Sequence, residues 1–128
     1  MTTFLFNFKR EFAGLVERGY KKQTIRGNRK DGRRPAPGDL AKLYTGLRTR
    51  SARWLRDGKV VRCHAVRFDF DGLGSLILDG QILTREERFD FAEADGFVSW
   101  DAMLTWFRDQ YGCHSALGTW DGFCVVWE

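Results

Sequence analysis

Lys21, Thr24 and Arg26 bring a hydroxyl and two cations together within six residues. If the backbone is extended from Thr24 to Arg26, those two side chains share a face, because a strand repeats every second residue. Where cations crowd, the proton lost most cheaply is a lysine's, since arginine stays protonated. Lys21 can then turn neutral and remove the Thr24 proton, leaving an oxygen nucleophile suited to acyl transfer. Residues of these types in a loop also serve as phosphate ligands, and Lys22 and Arg29 stand beside them. Both chemistries are open at this segment.

A second group mixes cations with an aromatic ring: Arg48, Arg50, Arg53, Trp54, Arg56 and Lys59. That combination tracks phosphates and stacks bases. Tyr44 could also stack on a base, although its neighbour Leu43 suits a core or rim position. The net charge of +4 hides a division along the chain. Sixteen of the 21 Lys and Arg, but only three of the 17 acids (Asp31, Asp39, Asp57), lie between Arg18 and Arg67, a local net of +13 against −9 elsewhere. One face made for a phosphate-bearing ligand accounts for such a split better than solubility does.

Other chemistries are poorly supplied. Cys63, Cys113 and Cys124 have no metal-ligand spacing and read as structural, and His64 and His114 have no catalytic constellation around them in sequence, so neither a metal nor another cofactor is expected. Gly72-Leu-Gly74 lacks the third glycine of a dinucleotide fingerprint, and no Walker loop occurs. Neither a leader nor a long apolar run is evident, so the expectation is a cytoplasmic protein away from membranes, a monomer or weak dimer with no obligate protein partner.

The elements that must position these residues follow from periodicity. At 128 residues the chain fits a single domain spanning 1–128. Alternating Phe4, Phe6 and Phe8 predict a strand, and Phe12, Leu15 and Val16 a helix ending at Gly19. Residues 20–39 read as one long functional loop. Leu40 to Tyr44 begins a strand, Asp57-Gly58 reads as a hairpin turn, and Val60 to Phe70 is a long strand. Leu73 to Leu83 is another, turned at Asp79-Gly80. Thr84 with Glu87 opens a helix running to about Asp95, and Ser99 caps a second that carries Trp100, Met103, Leu104 and Phe107 as core. Gly122 to Glu128 closes the chain as a strand. The class is α+β, with a mainly antiparallel sheet or small barrel and two or three helices.

Gly19-Tyr-Lys-Lys-Gln-Thr-Ile-Arg26, then Pro37-Gly-Asp39 leading into Leu43-Tyr-Thr-Gly46, resembles the ASCH superfamily signature, G-x-K-x-x-T-I-R followed by G-D and a strand. Ala92-Glu-Ala-Asp-Gly-Phe97 with Ser99, and Trp106-Phe107 through Tyr111-Gly112, is similar to that family's acidic-Gly-Phe segment. The resemblance spans most of the chain. It implies a PUA-like β-barrel with flanking helices and a cleft where the K-x-x-T-I-R loop meets the acidic segment. Within the superfamily, small bacterial amidohydrolases remove acyl groups from N4-acetylcytidine with a Lys, a Thr and a Glu. Lys21 and Thr24 match the first two, while Asp95 stands where the Glu aligns, or Glu93 if the alignment shifts by two. The implied reaction is attack of Thr24 on the exocyclic amide, with Lys21 as base, Asp95 holding or protonating the leaving amine, and Arg26 steadying the oxyanion. The implied partner is a modified nucleoside or RNA. An RNA-binding module or weak single-strand ribonuclease using the basic cleft is the other expectation.

Overall fold

The computed structural model describes residues 1–112 and 118–128. Strand β1 (Thr3–Phe8) buries Phe4, Phe6 and Phe8 in strict alternation, and α1 (Arg10–Glu17) lays Ala13 and Val16 against the same core. The segment read as one loop contains a further strand, β2 (Gln23–Gly27), polar in sequence yet buried at Gln23, Thr24 and Ile25. Next come β3 (Leu40–Thr45) and β4 (Arg53–Asp69), the longest element at 17 residues. Asp57-Gly58 is therefore strand interior and not a turn. Gly58 is required because the Trp127 ring lies on it: a Cβ there would meet Trp127 atoms at 2.5 to 2.8 Å.

Asp79 and Gly80 both have positive φ, 50° and 82°, and join β5 (Ser75–Leu78) to β6 (Gln81–Ile82) by the expected hairpin. The capping box is present at α2 (Arg85–Ala94), where Thr84 Oγ1 accepts from Glu87 N at 3.2 Å and Glu87 Oε1 from Thr84 N at 2.9 Å. Ser99 Oγ caps α3 (Trp100–Tyr111) by accepting from Ala102 N at 3.0 Å. The last strand is β7 (Thr119–Trp127). Cys113 and His114 lie outside the described residues.

Among the described residues the fold is α+β, with seven strands in one mixed sheet and three helices. Every strand pairing is antiparallel except β1 with β3. The sheet does not close into the expected barrel: among the described residues β1 pairs with β3, β2 with β7, and no ladder joins β1 to β2. β7 divides the interior. Phe123, Val125 and Trp127 face one core, with the β1 phenylalanines, Val16 and Leu43, while Cys124 faces the other, with Phe68, Leu76, Met103 and Phe107. Each such large side chain contributes about 1.5–3 kcal/mol by leaving water. Among the described residues no helix is long and apolar enough to cross a membrane.

Candidate functional site

Two helix ends deliver the site. At the end of α1, Gly19 adopts φ 80°; its N–H donates to Val16 O at 3.1 Å and that of Tyr20 to Leu15 O at 2.9 Å. This pair of bonds is a Schellman closure, which satisfies carbonyls that the helix leaves open. It turns the chain so that Lys21, next in line, enters the interior, where it is 3% exposed. At the end of α2, Gly96 adopts φ 93°; its N–H donates to Glu93 O at 3.0 Å and that of Phe97 to Ala92 O at 2.9 Å, the same closure again. Asp95, the residue before that glycine, is 2% exposed.

The two ends meet. Lys21 Nζ donates to the Asp95 carbonyl, an open carbonyl at the negative end of the α2 dipole, and lies 3.4 Å from Asp95 Oδ1. Gln23 Nε2 donates to the same Oδ1 at 3.2 Å. Lys21 also lies 5.2 Å from the Phe12 ring centre. Burial lowers the Lys21 pKa, opposed by the attraction of Asp95, and burial raises that of Asp95, opposed by Lys21. Desolvation thus pushes both groups toward their neutral forms. Glu93 is exposed on the helix, so Asp95 is the acid that accompanies Lys21.

Thr24 and Arg26 share a face of β2, as an extended backbone requires: Arg26 Nε donates to Thr24 Oγ1 at 3.1 Å. Arg26 Nη2 continues across the sheet opening to Asn7 O on β1 at 2.7 Å. One guanidinium thus holds the threonine oxygen and ties the two unpaired edges. A proton on Thr24 Oγ1 must point elsewhere, because that oxygen is accepting from Arg26. Among the described residues no hydrogen bond joins Lys21 Nζ to Thr24 Oγ1; both groups line one cavity.

That cavity has a volume of about 150 Å³ and is walled by Phe8, Phe12, Phe97, Trp106, Phe107 and Tyr111, with Lys21, Thr24, Arg26 and Asp95 as its polar side. Phe12, Phe97 and Trp106 meet edge to face, with ring centres 5.4 to 6.0 Å apart. A cavity of this size, apolar on its ring-lined side, has room for one six-membered ring. No family model, curated protein or solved structure matches this chain. The residues themselves therefore carry the functional argument.

The remaining sequence candidates do not line the cavity. Tyr44 is half-buried on β3, and Lys22 and Arg50 are exposed. Arg29 pairs with Asp31 at 3.1 Å, Arg53 with Glu17 at 2.7 Å, and the exposed Trp54 donates its indole N–H to Asp57 Oδ1 at 2.9 Å. Trp106 is half-buried and forms cavity wall, with Lys9 Nζ 5.0 Å from its ring centre. Gln23 and Lys9 escaped the sequence reading altogether. Gln23 sits between Lys22 and Thr24, where only the burial of an unrecognised strand reveals it. His64, which has no catalytic constellation around it in sequence, meets Asp79 Oδ2 at 2.6 Å near the surface. Among the described residues no cluster of three or more His, Cys, Asp or Glu could hold a metal ion.

Proposed function

We propose that this chain is an ASCH-type, PUA-like amidohydrolase that removes the acyl group from the exocyclic nitrogen of an N4-acylated cytosine. The observation that carries the reading is the buried Lys21–Asp95 pair on the wall of a ring-sized aromatic cavity that also holds Thr24. In this reading the flat base enters between the aromatic rings and its acylated nitrogen faces the polar side. Lys21, neutral, takes the Thr24 proton as the oxygen attacks the carbonyl carbon, and the negative charge that develops on the carbonyl oxygen is met by Arg26. The C–N bond then breaks, and the departing amine, held by Asp95, takes from the Lys21 ammonium the proton that came from Thr24. Water cleaves the acyl-threonine and restores the hydroxyl.

Asp is one methylene shorter than the Glu of the family pattern. Asp95 stands at the α2 closure, and Lys21 is hydrogen-bonded to its carbonyl, a bond that does not depend on side-chain length.

A binding module without turnover is the second reading, supported by the exposed cations Lys22, Arg29, Arg50 and Arg53 and the exposed ring of Trp54. Conversion of N4-acetylcytidine to cytidine, followed by its ultraviolet change, separates the two. The expected outcome is turnover by the wild type and loss of at least about 1,000-fold in Thr24→Val and Lys21→Ala, the scale on which nucleophile and base knockouts act. Absence of turnover leaves only the binding module, and a fully active Thr24→Val leaves an enzyme in which Thr24 is not the nucleophile.

A further inference from the structure

The three β1 phenylalanines lie on one face at the strand repeat, about 6.6 Å between successive positions. A cation stands over each. Arg26 lies 5.0 Å from the Phe8 ring centre and 5.4 Å from that of Phe6, and Arg29 and Arg33 lie 5.9 and 5.6 Å from that of Phe4. The row starts at the cavity, since Phe8 and Arg26 both line it, and follows the opening between β1 and β2 away from it.

The outer end of the row is organised. Asp31 accepts Arg29 Nε and Nη2, both at 3.1 Å, and the Arg33 N–H at 2.9 Å. Arg34 Nη2 donates to Asn28 Oδ1 at 2.9 Å. Arg29, Arg33 and Arg34 border a surface hollow of about 320 Å³ together with Asn28 and Gly32. Residues 28–34 hold four cations and a single acid, Asp31, which is already committed to Arg29. Stacked on a ring and fixed by a carboxylate, a guanidinium loses little freedom on meeting a phosphate and still offers N–H groups to it.

We infer that this seam is a phosphate track: it binds the backbone of a single-stranded nucleic acid whose base occupies the cavity. The inference rests on the proposal that a base enters there. A cavity holding one ring leaves sugar and phosphates outside, and Arg26 stands where they emerge. Arg29 and Arg33 follow at the next phenylalanine but one, beyond the reach of a single nucleotide's own phosphate. The track therefore selects a base carried within a strand over a free nucleoside.

The test is anisotropy of a labelled single-stranded oligoribonucleotide across a salt series, with Arg29→Ala/Arg33→Ala and, as a distant control, Arg85→Ala. The wild type is expected to bind, the double variant to bind at least tenfold more weakly, and its salt slope to fall by about 1.4, two contacts at about 0.7 each. Arg85→Ala is expected to bind as the wild type does. In parallel, the double variant should slow hydrolysis of the acylated base within the strand by a larger factor than hydrolysis of the free nucleoside. Equal losses in the double variant and Arg85→Ala, an unchanged double variant, or displacement of the strand by an equal concentration of tripolyphosphate overturns the track. Strand binding that depends on Arg29 and Arg33 without hydrolysis of any substrate upholds the track and sinks the proposed chemistry instead.

Discussion

The interior resists the charge of both Lys21 and Asp95, and their opposite signs make a pH experiment decisive. Lys21 has a folded pKa below its ordinary 10.5, so between those values the unfolded chain binds more protons and stability rises with pH. Asp95 has a folded pKa above 3.8, so the folded chain keeps a proton the unfolded one has released, and stability falls as pH rises through that window. Lys21→Met leaves the carboxylate without its cation; the expected loss is about 3 kcal/mol at neutral pH. The loss should shrink in acid, where Asp95 takes up a proton, and denaturant unfolding at several pH values checks both points. For catalysis, kcat/KM should rise with pH through an inflection below 10.5 that belongs to the coupled pair. Asp95→Asn removes the attraction that holds the Lys21 proton, so its inflection should move to lower pH. A profile unmoved by that change rules Lys21 out as the base.

The elements around the pair explain how far it was legible in sequence. Lys21, Thr24 and Arg26 stood out by type and spacing, Asp95 only through the resemblance, and the capping signals at Thr84 and Ser99 named both later helices because a cap is local chemistry. β2 escaped because its residues are polar and its burial comes from β7, about a hundred residues away, as Thr24 pairs with Val125. Asp57-Gly58 misled for a similar reason: the glycine answers to Trp127, not to a turn. The two Schellman glycines invite a paired test. A Cβ on Gly96 would stand 3.3 Å from Lys21 Cδ, whereas on Gly19 it would meet mainly the mobile end of Arg56. Both Gly→Ala changes carry the left-handed backbone cost of about 1–2 kcal/mol. Gly96→Ala should in addition displace Lys21 and lower kcat more than Gly19→Ala does, measured at equal folded fraction.

Across the whole molecule, the unclosed sheet is the main departure from the barrel that the resemblance implied. An alternating pattern marks which residues face inward, but it does not say whether the last edges meet. Here Arg26 spans the opening, from Thr24 Oγ1 to Asn7 O. Arg26→Lys keeps the charge but offers one compact ammonium in place of a planar fork. It should cost about 1.5 kcal/mol in thermal unfolding, the scale of a charged hydrogen bond, and slow catalysis as well. Loss of catalysis without loss of stability would assign the arginine to chemistry alone.

The placement of β7 also sets a timetable. β2 has β7 as its ladder partner, and β7 follows it by some hundred residues, so on a ribosome the threonine and the arginine emerge long before anything can hold them in line. Pairings this distant form late. A nascent chain carrying β1 to β6 has its cations but not yet the strand that holds Thr24 and Arg26 in line.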